Sequence, residues 1–147
     1  MDEKPVYVPP RHPVSVKGVV VDDRDRVLLL RNEREEWELP GGRLEIGEEP
    51  LDCVVREVSE ESGWAVRPGP LLDVWVYQPV PGRHVLIVTY GCLVPPGVGA
   101  PVVSGEHNAI GLFAREEVPG LVMPQGYKDS VAAWFDHSAR TAFPGLG

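Results

Sequence analysis

Apolar positions in the first part of the chain come in short valine- and leucine-rich runs, set apart by charged clusters. Val14–Val21 reads VSVKGVVV and residues 27–31 read VLLLR, with Asp22-Asp23-Arg24-Asp25 between them. Two β-prone runs flanking an acidic turn predict a hairpin. Residues 32–36 read as a charged loop, Trp37-Glu38-Leu39 as a short extended piece, and Pro40-Gly41-Gly42 as its stop. From Pro50 the period changes. Leu51, Val54, Val55 and Val58 fall at i, i+3, i+4 and i+7, the apolar stripe of a helix. Pro50 suits the first turn, where a missing N–H leaves nothing unpaired, and Gly63 is placed to end the helix after Ser62. Further on, residues 71–77 and 84–93 predict two strands joined by residues 78–83. A loop rich in Gly and Pro covers 95–105, and a short strand 109–113 precedes a turn or short helix at Arg115-Glu116-Glu117. Residues 125–140 predict a closing helix with Tyr127, Val131, Trp134 and Phe135 inward. Strands interleaved with two helices predict an α/β fold with a mixed sheet covered on both faces.

Length and composition narrow this picture. At 147 residues the chain is the size of one domain and buries a core without staples. Pro5, Pro9, Pro10 and Pro13 mark residues 1–13 as an irregular arm, 14–141 form the domain, and 142–147 read as a loose tail. Lys and Arg number 14 against 22 Asp and Glu, a net charge of −8. That balance lacks the basic footprint that tracking a nucleic-acid backbone requires. The two cysteines, Cys53 and Cys92, form no disulfide framework and no Cys/His cluster. No signal peptide is visible, and no apolar run approaches the ~20 residues of a membrane span. A cytoplasmic protein is the expectation, with a homodimer left open.

The candidate chemistry lies between Gly42 and Trp64, in GRLEIGEEPLDCVVREVSEESGW. Carboxylates at this density repel one another unless cations stand between them. On a helix, Glu57, Glu60 and Glu61 at i, i+3 and i+4 share a face, which suits a hard divalent cation. Arg56 precedes Glu60 by four residues and is within reach of Glu48, so its guanidinium can bridge two carboxylates and lower their pKa.

The segment resembles the signature of the Nudix hydrolase family, Gly-x5-Glu-x7-Arg-Glu-apolar-x-Glu-Glu-x-Gly-apolar. Gly42, Glu48, Arg56, Glu57, Val58, Glu60, Glu61, Gly63 and Trp64 fill it, and all seven fixed letters match. At about 7% per residue type a chance match is on the order of 10⁻⁸ per start point. Trp64 stands where the family more often has an aliphatic residue. The resemblance implies an α/β/α sandwich with a mixed β-sheet between helices. It also implies Mg²⁺, with Mn²⁺ as a possible substitute, held by Glu57, Glu60, Glu61 and the carbonyl of Gly41, with Arg56 in an orienting role and Glu48 beside it. The proton acceptor is then Glu60 or Glu61, with Glu106 as a candidate from outside the signature and as a further acidic ligand.

The reaction so implied is hydrolysis of a diphosphate linkage in a small-molecule nucleotide. The expected substrate is a nucleoside diphosphate joined to another group, such as ADP-ribose; nucleoside triphosphates, oxidised ones included, are the alternative. A proline shortly after the signature marks the ADP-sugar branch of the family, and Pro79 and Pro81 bracket that place. Arg31, Trp37 and Gly42 are candidate substrate contacts, beside Arg34 and the aromatic residues Trp75, Tyr77 and Tyr90. A non-catalytic nucleotide sensor is a rival, although such modules often lose signature glutamates and this chain keeps them. An isopentenyl diphosphate isomerase would need a catalytic cysteine and a histidine-rich site. His12, His84, His107 and His137 show no ligand spacing and are assigned no role.

Overall fold

The computed structural model describes residues 3–105 and 107–142. Seven strands, β1 (Val14–Val21), β2 (Arg26–Arg31), β3 (Trp37–Glu38), β4 (Gly41–Arg43), β5 (Arg67–Val80), β6 (Arg83–Leu93) and β7 (Ala109–Ala114), form one sheet. Its main path runs β3-β2-β1-β6-β5, with β4 paired to β1 and β7 to β2. The β1–β6 pair is parallel and every other pair is antiparallel, so the sheet is mixed.

The two-residue period of the strands decides which helix covers which face. Val19, Val21, Val27 and Leu29 join one buried cluster with Tyr127, Val131 and Trp134 of α2 (Gln125–Phe135). Val16, Val20 and Leu28 join the other with Val54 and Val58 of α1 (Pro50–Ser62) and with Trp64. The valine- and leucine-rich runs are buried on both sides because each side has its own helix. Trp64 is 3% exposed and fills this second cluster.

Three elements differ from the sequence reading. Pro40-Gly41-Gly42 does not simply stop a strand: Gly41–Arg43 is a strand of its own, with Gly41 opposite Lys17 and Gly42 opposite Val16. The β5–β6 hairpin extends well past the segments marked by apolar residues and turns at Pro81-Gly82, with irregular register around Pro68, Leu71 and Tyr77. The closing helix ends at Phe135, and a separate four-residue turn, α3 (Ala139–Ala142), follows. Of the tail, residues 143–147 lie outside the described residues. Arg115–Gly120 is a 3₁₀ turn. Among the described residues, no helix is long and apolar enough to cross a membrane.

Candidate active site: a buried carboxylate beside a glycine strap

Helix α1 starts with Pro50 in its first turn and ends where Gly63 adopts φ 75°, a left-handed stop that glycine takes without strain. Its buried line is Val54, Val58 and then Glu61, at i, i+4 and i+7, so a glutamate continues the apolar stripe. Leu51, assigned to that stripe from the sequence, is exposed. The three glutamates therefore separate. The Glu61 side chain is 5% exposed and the Glu60 side chain 59%, with Glu57 between them.

Strand β4 straps the glycines against this helix. Pro40 O accepts the Gly18 N–H, and the Gly41 N–H donates to Glu61 Oε1 at 2.8 Å. Gly41 has φ 144°, and a Cβ there would collide with the backbone of Val16 and Lys17. A Cβ on Gly42 would lie 2.5 Å from Glu57 Cδ. Both positions need glycine because backbone and carboxylate approach closer than a side chain permits.

Arg56 organises the outer carboxylates. Its Nε and Nη2 donate to the two oxygens of Glu48 at 2.7 and 3.0 Å, and Nη1 donates to Glu57 at 2.9 Å and to Glu60 at 3.3 Å. The paired hydrogen bonds hold the Glu48 carboxyl well below its ordinary range, at about 2. Cys53 lies beneath this cluster, its thiol pushed up to about 12 by burial and by Glu48. It is a packed, inert thiol and not a nucleophile.

A second set of charges reaches the site from outside the signature. His107, assigned no role from the sequence, places Nε2 3.1 Å from Glu38 Oε1 and 3.4 Å from Glu61 Oε2. Burial would raise the pKa of Glu38, but His107, Lys17 and the Asn32 amide outweigh it and hold the carboxyl at about 2. Lys17 is buried and donates to Leu39 O at 3.2 Å. Burial works against its charge, yet Tyr127, Glu38, Glu61 and Glu57 together raise its pKa. For Glu61 the balance is reversed. Burial pushes its carboxyl up to about 7, and Lys17, Gly41 and His107 only partly offset that.

These groups line a cavity of about 390 Å³ that includes Glu38, Gly41, Gly42, Glu57, Glu61 and His107. A neighbouring cavity of about 300 Å³ shares Glu33 and Arg34 with it and is lined by Lys17, Tyr77, Arg83 and Tyr127. Arg31 and Trp37 line neither. The strand period puts Arg31 on the Val27–Leu29 side of β2, opposite Trp37, which packs edge-on against Phe113 with ring centroids 4.8 Å apart. Trp75 meets Tyr127 in the α2-side cluster. Tyr90 packs against the α1-side cluster. Arg34 lines both cavities, with Arg43 in the first and Arg83 in the second. Glu60 is exposed and lines neither cavity, and Glu106 lies outside the described residues.

The donor set fits a hard divalent cation. Glu57, Glu61, Glu60 and the Gly41 carbonyl offer only oxygen, the ligand such ions prefer. A buried carboxylate whose charge is incompletely offset is a place where a cation relieves a desolvation cost. Among the described residues, no three acidic, imidazole or thiol groups are drawn together at metal-holding geometry; Arg56 takes Glu57 and Glu60 instead.

Comparison with known proteins agrees with this architecture. The NUDIX domain profile matches residues 11–135. A MutT-like protein of Streptomyces ambofaciens is 38% identical over 111 residues, covering 75% of this chain and 69% of that protein. A proposed ADP-ribose pyrophosphatase of Bacillus subtilis (strain 168), YjhB, is 31% identical over 133 residues, covering 86% of this chain and 62% of YjhB. A MutT protein from Methanosarcina mazei Go1 shares the fold with a TM-score of 0.74 at 23% identity, over 88% of this chain and 96% of that one. The chain belongs to the Nudix family, hydrolases of pyrophosphate bonds.

Proposed function

We propose that this chain hydrolyses, with Mg²⁺ or in its place Mn²⁺, the diphosphate linkage of a nucleoside diphosphate joined to a second group, most fittingly a nucleotide sugar such as ADP-ribose. The observation that carries the reading is Glu61: a buried carboxylate, held by the Gly41 N–H, facing a cavity beside Glu57. Glu57, Glu61 and the Gly41 carbonyl would hold the cation, with Glu60 reaching it from outside the cavity and Arg56 with Glu48 ordering the approach. When bound, such an ion offsets charge on a phosphoryl oxygen and acidifies a water. Of the two acceptor candidates within the signature, only Glu61 lines the cavity, and a carboxylate oxygen left free of the cation can take the proton.

The two joined cavities support the substrate class. The acidic one suits a cation-bound diphosphate. The second offers Tyr77 and Tyr127 for a planar or sugar group, with Arg34 and Arg83 for its phosphate or hydroxyl oxygens. The likeness to YjhB supports the same class. A cytoplasmic location accords with two free, buried thiols.

The test is a panel of nucleotide sugars, dinucleoside diphosphates and nucleoside triphosphates, each assayed with Mg²⁺ and with product analysis. The reading expects the highest kcat/KM for a nucleotide sugar, with release of a nucleoside monophosphate. Preference for triphosphates would overturn the substrate class, and binding without turnover would favour a sensor.

A further inference from the structure

The loop after Gly105 brings one imidazole to the buried side of Glu61. His107 Nε2 lies between Glu38 Oε1 at 3.1 Å and Glu61 Oε2 at 3.4 Å, while Nδ1 is 3.5 Å from Ser104 Oγ. The His107 side chain is 9% exposed, so this is an interior contact. Glu38 is itself fixed, because its other oxygen accepts the Asn32 amide at 3.1 Å. The loop is anchored beside it: the Asn108 N–H donates to Arg31 O, and the Asn108 amide donates to Asn32 O. A continuous line of contacts therefore runs from Asn32 through Glu38 and His107 to Glu61, and ends on the Gly41 N–H.

The Gly41 N–H donates to Glu61 Oε1, and the His107 Nε2–H, hydrogen-bonded to Glu38, also lies 3.4 Å from Glu61 Oε2. Two contacts on opposite oxygens fix the plane of the carboxylate. Of its roughly four acceptor sites, about two stay open. Lys17 donates to Leu39 O and acts on Glu61 through its charge.

We propose that His107 is a positioning residue that sets the Glu61 carboxylate in the orientation in which its open lone pairs receive a divalent cation, with Glu38 fixing the imidazole from behind. The inference rests on the cation reading above. A carboxylate already locked in its binding orientation loses less freedom when the ion arrives.

The experiment measures binding of Mn²⁺ alone, without nucleotide, to the full chain by electron paramagnetic resonance. It compares the wild type with His107→Leu and His107→Gln. Leu fills the space but donates nothing, whereas Gln keeps an N–H. The expected result is a 10- to 100-fold weaker Mn²⁺ affinity for His107→Leu, largely restored in His107→Gln, with far-UV circular dichroism unchanged in both. Wild-type affinity in His107→Leu would overturn the proposal. Equal weakening in both variants would also overturn it, since shape rather than the N–H would then be what the site needs. If the wild type itself binds no Mn²⁺, the cation reading fails and the inference falls with it. If His107→Leu does not fold, His107→Gln decides: near-wild-type affinity supports the donor role, and an affinity as weak as that of Glu61→Gln rejects it.

Discussion

Glu61 shows how a single residue joins stability to chemistry. Its folded carboxyl is pushed up to about 7 from an ordinary 4.5. A raised acid pKa means that the folded state binds its proton more tightly than the unfolded state. The associated stability is full below pH 4.5 and is lost as pH rises through about 7. At 1.36 kcal/mol per unit the loss is roughly 3 kcal/mol. Glu38 acts in the opposite sense, its contribution lost as pH falls from 4.5 towards about 2. With divalent cations chelated, Glu61→Gln removes the first slope. Urea unfolding of both proteins at pH 4.5 and pH 8 should show the variant gaining on the wild type by roughly 2–3 kcal/mol at the higher pH. Parallel pH profiles would contradict the burial argument.

At this scale the sequence revealed the outer half of the site. Arg56 and the signature glutamates stand close together along one helix, so spacing alone relates them. Glu38 and His107 are 69 positions apart and meet only through the fold. No local pattern marks either one. The separation of Glu60 from Glu61 was legible in principle, because Glu61 follows Val58 by three residues and so continues the buried line.

Among the elements, β4 carries the most consequence for its length. Three residues hold the Gly41 N–H on Glu61 and keep Gly42 against Glu57. The two glycines should fail in different ways. Gly41→Ala places a Cβ into the β1 backbone at a positive φ, a conflict that only backbone movement resolves; a loss of at least ~2 kcal/mol is expected. Gly42→Ala meets the carboxylate end of a side chain instead. It should lower kcat by ten-fold or more through displaced Glu57 while costing less stability. Thermal melts set beside kcat for the two variants check this, and a Gly42→Ala enzyme of wild-type rate would contradict it.

Strap geometry was not readable beforehand because Pro-Gly-Gly carries the composition of a turn, and its pairing partner, β1, lies more than twenty residues upstream. The β5–β6 hairpin was underestimated for a related reason. Prolines at 68, 70 and 79 break the local strand signal, but an edge strand with irregular register tolerates them.

For the molecule as a whole, the layered architecture was legible in the strands interleaved with two helices. The sheet needs cover on both faces, and each face receives one helix. That arrangement fixes α1 against the sheet so that Glu61 enters the interior while Arg56 and Glu60 remain outside. The first cavity opens between the glycine strap, the Asn32–Glu36 loop and the His107 loop, and the second between that Asn32–Glu36 loop, β1, the β5–β6 hairpin and Tyr127. The net charge of −8 also belongs to this scale: a diphosphate approaches such a surface most readily with a cation to mediate. The central claim is that Glu61 and its neighbours use such a cation to turn water against phosphorus. The most direct measurement is kcat of Glu61→Gln with Mg²⁺ on whichever substrate the wild type turns over best, with folding verified by circular dichroism. Loss of one hard ligand and proton acceptor predicts a fall of about 10³-fold or more in a folded protein. Turnover at the wild-type rate would contradict the account.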